Sequence, residues 1–180
     1  MIEKPIKYAF LFKSVPIKLP RGMLLYGGTG NGKTALGSAL KDEFKMKYFS
    51  VKGSDILSKY IGGSEAAVRD IFEKALSVSP SIIFFDEFES IVPKRSANNT
   101  GVNDRIVNQF LCYLDGVSAI SGVYIVAASS RPDLIDPAVL RPGRLDSHLF
   151  LDYPTAADRK EMINLFGHSV KIDIDESTVV

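Results

Sequence analysis

Short apolar runs separated by amphipathic stretches recur along these 180 residues. Met23-Leu24-Leu25-Tyr26 predicts a first strand at about Gly22–Tyr26, followed by a helix that runs to about Phe44. Tyr48, Phe49 and Val51 mark a second strand at Lys47–Lys52. Over Ser64–Ser77, Ala67, Val68, Ile71, Phe72, Ala75 and Leu76 recur at helical spacing, which predicts an amphipathic helix. On its outer face Arg69 and Glu73, and Asp70 and Lys74, set opposite charges one turn apart. Ser64, after Gly62-Gly63, suits the N-cap. Ser81–Phe85 is almost wholly apolar, as expected of a strand covered on both faces. A loop holding Asn98, Asn99, Thr100 and Gly101 leads to a helix at about Asn103–Leu114, then a strand at Val123–Ala128. Pro132, Pro137, Pro142 and Gly143 break the chain into turns before a last strand, Leu149–Leu151. A final helix spans Thr155–Phe166, with Gly167 just past its end. Ahead of all this, residues 5–12 read as a short helical turn and residues 15–20 as an extended connector.

Strands that alternate with helices predict an α/β fold: a parallel five-stranded sheet with helices on both faces, a three-layer αβα sandwich. Ligands of such sheets sit at the carboxyl ends of the strands. A hydrophobic content of 46% suits one core. The 22 basic and 21 acidic side chains leave a net charge of +1, so no electrostatic footprint marks nucleic acid or an anionic membrane as a partner. Lys94-Arg95 is the nearest approach to a basic patch and reads as a solvated loop. The one cysteine, Cys112, allows no internal disulfide and fits a reducing, cytoplasmic compartment; it reads as a helix residue near the core. No apolar run approaches the roughly 20 residues of a membrane helix, and Glu3, Lys4 and Lys7 argue against a secretory signal.

Two segments carry chemistry. Gly27-Gly28-Thr29-Gly30-Asn31-Gly32-Lys33-Thr34 fits GxxxxGK[ST], after a predicted strand and opening a helix that continues into Ala35. Glycines there let backbone N–H groups turn inward on phosphates, and the helix N-terminus adds partial positive charge. Lys33 can reach the β- and γ-phosphates, and the Thr34 hydroxyl can ligate magnesium. The second segment, Ile82-Ile83-Phe84-Phe85-Asp86-Glu87, is a buried-strand pattern ending in two acids. Asp86 suits a magnesium ion, held through water, and Glu87 suits a general base that polarises an attacking water. Two acids at a strand tip without a cation would be costly. A glycine-rich turn with an incidental Lys-Thr, or a nucleotide kinase or GTPase built on the loop alone, are the alternatives. The Asp-Glu pair favours binding and hydrolysis of ATP with Mg²⁺.

Further strings complete a resemblance to the AAA family of P-loop ATPases over nearly the whole chain: Lys59-Tyr60-Ile61-Gly62, Ser129-Ser130-Arg131-Pro132-Asp133, and Asp136-Pro137-Ala138-Val139-Leu140-Arg141-Pro142-Gly143-Arg144-Leu145-Asp146. The resemblance implies a hexameric ring, homomeric or mixed with a second AAA ATPase, that acts on a polypeptide substrate. It makes Arg141 and Arg144 arginine fingers for a neighbour's γ-phosphate, a role suited to a permanently charged planar fork and worth roughly 10³–10⁵ in rate when supplied in trans. Read as residues alone, the two arginines could instead pair with Asp136 or Asp146. Lys59, Tyr60 and Ile61 correspond to the pore loop that grips substrate; Tyr60 and Ile61 packing as a hydrophobic staple is the alternative. Ser130 stands where most relatives carry a polar sensor, usually asparagine, which implies slow or tuned hydrolysis. Gly28 and Thr29 stand where relatives commonly have a bulkier residue and proline, and the added ordering entropy implies weaker nucleotide affinity.

By the same resemblance, residues 1–153 form the large αβα subdomain and 154–180 the start of a small helical lid. Such a chain begins after the segment that usually lines the adenine pocket and ends before the lid's later motif, as expected of a fragment or a shortened product. Within the family the wording is most similar to the branch that serves peroxisome biogenesis, extracting the import receptor at the cytosolic face of the peroxisomal membrane. A segregase branch shares most strings but usually has Asn at the place of Ser130. The rival from another class is a ring-assembly module that binds nucleotide, donates Arg141 and Arg144, and turns over little itself.

Overall fold

A computed structural model gives the fold, describing Tyr8 and residues 22–59, 64–95, 101–117 and 122–167. Five strands, β1 (Gly22–Gly27), β2 (Lys47–Lys52), β3 (Ser81–Asp86), β4 (Val123–Ser129) and β5 (Ser147–Leu151), form one sheet in the order β2-β3-β4-β1-β5. Every neighbouring pair is parallel. The helices are α1 (Lys33–Phe44), α2 (Gly53–Lys59), α3 (Ser64–Ser77), α4 (Phe88–Ile91), α5 (Gly101–Val117) and α6 (Ala156–Gly167).

The period of two along the central strands sorts their side chains onto two faces. Ile83 and Phe85 of β3 join a core with Phe72 of α3, Phe88 of α4, and Ile106 and Phe110 of α5. Ile82 and Phe84 of the same strand point the other way, where Leu36, Leu40 and Phe44 of α1 cover them. The larger core is tied by rings packed edge to face: Phe110 lies 5.0 Å from Phe85, 5.3 Å from Phe88 and 5.4 Å from Phe72. Such pairs add about 0.5–1.5 kcal/mol each beyond area burial. On the other face α1 lies so close to the sheet that a Cβ on Gly37 would fall 2.3 Å from the Phe84 ring.

The expected strands and helices are present, with differences at their ends. β5 starts two residues earlier, at Ser147, and α5 extends beyond Asn103–Leu114 at both ends. Gly167 is the last residue of α6 instead of lying beyond it. Two helices carried no periodic signal. α4 has four residues, and α2 begins at a glycine and has one fully buried aliphatic side chain, Ile56, among its described ones. Cys112 lies on α5 as expected but faces outward, so its placement near the core is corrected. Arg95 is an exposed loop residue as expected, but it is also anchored: its Nε donates to Asp136 Oδ2 at 2.8 Å and its Nη2 to Asn108 Oδ1 at 3.0 Å. The N-terminal turn and connector, Tyr8 apart, and residues 98–100 lie outside the described residues.

Candidate active site

Three adjacent strands deliver the chemistry to one edge of the sheet. β1 ends at Gly27 and opens into the phosphate loop, β3 ends at Asp86, and β4, between them, ends at Ser129. In the loop Gly30 and Gly32 have φ of 86° and 80°, left-handed conformations that cost glycine little and most residues about 1 kcal/mol or more. Gly32 is the N-cap of α1 and supplies no side-chain cap bond. The first amides of α1 are therefore left for a ligand.

Lys33 is 8% exposed. Its ammonium donates to the carbonyl oxygens of Gly27 and Gly28 at 2.9 and 2.7 Å, which folds the side chain back over the loop. Thr34 Oγ1 donates to Asp86 Oδ2 at 2.8 Å, joining residues 52 apart in sequence. The other carboxylate oxygen, Oδ1, accepts the Glu87 N–H at 3.0 Å. Asp86 is thus held at both oxygens, one facing the phosphate loop.

Glu87 is exposed and sits in the left-handed region, φ 52° and ψ 48°. A non-glycine residue there stores roughly 1–2 kcal/mol of backbone strain. The turn starts α4, where the Glu87 carbonyl accepts from Ser90 N at 2.9 Å. Ser130 directly follows β4. The pairing of Tyr26 with Ser129 brings Ser130 level with Gly27, at the mouth of the loop. Its neighbour Ser129 is buried and accepts the Arg131 N–H at 3.0 Å.

Arg141 and Arg144 lie elsewhere. Among the described residues neither makes a hydrogen bond to Lys33, Thr34, Asp86 or Glu87. Arg141 is exposed. Arg144 forms a fork with Asp115 of α5, Nε to Oδ1 at 2.7 Å and Nη2 to Oδ2 at 2.8 Å, and Nη1 donates to the Ala138 carbonyl. The Asp115 carboxylate raises the Arg144 pKa above the usual arginine value. Neither acid expected from the local sequence is the partner: Asp136 takes Arg95 and the Ala138 N–H, and Asp146 takes the Gly143 N–H. Asp115 was missed because 29 residues separate it from Arg144 and no spacing rule links them. Lys59 ends α2, while Tyr60 and Ile61 lie outside the described residues. Asn31 was read as part of the loop, but its side chain also donates to Leu151 O at 2.9 Å, a tie to β5 that the sequence does not signal.

A phosphate loop between a strand and a helix, facing the acidic tip of a non-adjacent strand, is the nucleotide site of a P-loop ATPase. Residues 23–153 match the model of the ATPase family associated with various cellular activities (AAA), and the chain belongs to that family. It is 52% identical over 176 residues to "Peroxisomal ATPase PEX1" of Arthrobotrys oligospora, an alignment covering 98% of this chain and 15% of that protein. The protein of the same name in Homo sapiens is 53% identical over 97% of this chain and 14% of its own length. That of Saccharomyces cerevisiae is 50% identical over 93% and 16%. The chain thus spans about 15% of the length of the relatives it matches.

Proposed function

We propose that this chain is the catalytic part of an ATP-hydrolysing AAA module within a ring-shaped motor that remodels proteins in peroxisome biogenesis. The observation that carries the reading is the 2.8 Å contact between the Thr34 hydroxyl and the Asp86 carboxylate. It joins the two halves of a phosphate-and-metal site. These are hard oxygen donors, few in number, which suits magnesium; that ion keeps several waters and takes substrate phosphates as further ligands. Thr34 and Asp86 would hold it, and when bound it neutralises charge on the phosphate oxygens. Among the described residues no cluster of three or more His, Cys, Asp or Glu offers a fuller cage.

Each residue then has one task. Gly27 to Gly32 and the first amides of α1, including those at Thr34 and Ala35, bind the phosphates. Lys33 moves from its carbonyl partners to the β- and γ-phosphates. Glu87 takes the proton of the attacking water, and Ser130 orients that water from the neighbouring strand. Arg141 reaches the neighbouring protomer's phosphate. Arg144, held by Asp115, stiffens the turn that presents it. Lys59, Tyr60 and Ile61 grip a polypeptide in the pore.

The relatives' shared name, and strings such as Val51-Lys52-Gly53 and Pro93-Lys94-Arg95, support the peroxisomal branch over the segregase branch typified by valosin-containing protein. Those strings resemble the second ATPase domain of peroxisomal biogenesis factor one. On that reading the module sits in a mixed hexamer, cytoplasmic and recruited to the cytosolic face of the peroxisomal membrane, where it extracts the import receptor. Residues 1–153 are its large subdomain and 154–180 the start of its lid. No described helix is long and apolar enough to cross a membrane.

The test is ATP turnover by assembled rings whose other subunits are silenced. Glu87→Gln should leave ATP bound and lower turnover by about 10²–10⁴, the usual worth of a positioned base. Unchanged turnover would leave only the assembly role.

A further inference from the structure

The phosphate loop of this chain is rich in glycine, with Gly27-Gly28 followed by Thr29 and Gly30. Gly27, Gly28 and Gly30 leave its first turn with little side-chain restraint of its own. A brace stands outside the loop. A Cβ built on Gly28 would fall 2.6 Å from the Tyr153 hydroxyl and 2.8 Å from the ring carbon that bears it. The phenol therefore occupies the space that a larger residue at position 28 would fill. Tyr153 is 70% exposed, so its place against the loop is not imposed by burial in a core. A second contact reaches the loop from the same stretch of chain: Asn31 Nδ2 donates to Leu151 O at 2.9 Å. Asp152 turns the backbone between them, its carboxylate accepting the Tyr153 N–H at 2.8 Å. Two residues of the loop thus meet the chain at or just past the end of β5: Asn31 is bonded to Leu151, and Gly28 is faced by the Tyr153 ring.

We propose that Tyr153 is a positioning residue of the nucleotide site, an external brace that fixes the Gly27–Asn31 turn in place of the restraint the loop's own sequence gives up. The inference rests on the reading of this loop as the phosphate site. Glycine at 28 and tyrosine at 153 form a matched pair, since neither a larger residue at 28 nor a smaller one at 153 preserves the contact. The brace leads through Pro154 into α6, so loop geometry and the seating of that helix are joined by one short segment.

The experiment is equilibrium titration of a fluorescent ATP analogue on the intact protein. Binding that survives in a Lys33→Ala variant is subtracted, and the thermal midpoint of each nucleotide-free variant is recorded. Tyr153→Ala should raise Kd by about two- to fivefold, the scale of one proline's or one glycine's worth of chain ordering, with the midpoint unchanged. Tyr153→Phe should keep most of the affinity because the ring stays in contact. Gly28→Ala should displace the phenol and weaken binding by a similar factor. Adding Tyr153→Ala to Gly28→Ala should then cost nothing further. Reference affinity in Tyr153→Ala, or costs that multiply in the double variant, would overturn the brace. Equal binding by the reference protein and Lys33→Ala would instead overturn the reading of the loop on which it rests.

Discussion

Glu87 shows at the scale of one residue how stability is given up for geometry. Its left-handed backbone, φ 52°, strains a side chain that caps nothing and is exposed to water. Glycine would relieve that strain, at some cost in chain entropy. Glu87→Gly is expected to raise folding stability by about 0.5 kcal/mol while abolishing ATP turnover. Denaturant midpoints measured beside phosphate release check both halves. A lower midpoint would mean that the side chain holds the fold and not the water. The candidate site was legible where the proposed chemistry needs contiguous side chains: Lys33 and Thr34 sit at fixed steps in the loop, and Asp86 and Glu87 end an apolar run. The strain at Glu87 was not legible, because an acid carries no sequence signal for positive φ. Nor was the Asp115–Arg144 fork, whose partners meet only through the packing of α5 on the turns after β4.

Elements were legible in proportion to their length and their burial. β3 announced itself by an almost unbroken apolar run, and α3 by its 3.6-residue period. α2 and α4 are too short to set a period, and the edge strand β5 opens with Ser147 and His148, so its start was read late. Gly37 explains why α1 can lie flat on the sheet. In Gly37→Ala the new Cβ would meet the Phe84 ring at 2.3 Å. Such overpacking costs about 1–3 kcal/mol, and repacking with Phe84→Leu should recover part of it, as thermal midpoints would reveal.

The start of α6 is a reciprocal cap. Thr155 Oγ1 and N–H both donate to Asp158 Oδ2, at 2.7 and 2.9 Å, and the Asp158 N–H reaches Thr155 Oγ1 at 3.3 Å. Those bonds hold the Asp158 pKa below the usual carboxylate value, the Thr155 hydroxyl contributing most. A carboxylate whose folded pKa is depressed stabilises above its unfolded pKa and loses that contribution as pH falls through the folded value. Protection of the amides around the start of α6, referred to their intrinsic exchange rates, should accordingly fall below about pH 4, and Asp158→Asn should remove that pH dependence. A first turn whose protection is the same above and below about pH 4 would contradict the cap.

For the whole molecule, the two arginines after β4 differ in their surroundings. Arg144 is 18% exposed and locked to Asp115, whereas Arg141 stands in solvent. Mixed rings separate the roles. Arg141→Ala protomers should bind ATP normally yet slow their neighbours by about 10³ or more, and wild-type protomers beside Lys33→Ala ones should show which site each finger serves. Asp115→Ala should cost only about 1 kcal/mol of stability, as a half-exposed pair allows, but should reduce the neighbour's rate by loosening the turn. Turnover that stays proportional to the number of intact Lys33 sites, whatever happens at Arg141, would mean that no site is shared.

The parallel sheet brings Thr34 and Asp86, 52 residues apart, within 2.8 Å, and the proposed function requires that these two residues would together hold a magnesium ion. ATP turnover as a function of magnesium concentration, in a cycle of Thr34→Ala, Asp86→Ala and the double variant, asks this most directly. Each single change is predicted to abolish the magnesium-dependent rate, with the double variant no worse than either. Losses that simply multiply, or a magnesium response untouched by Asp86→Ala, would contradict it.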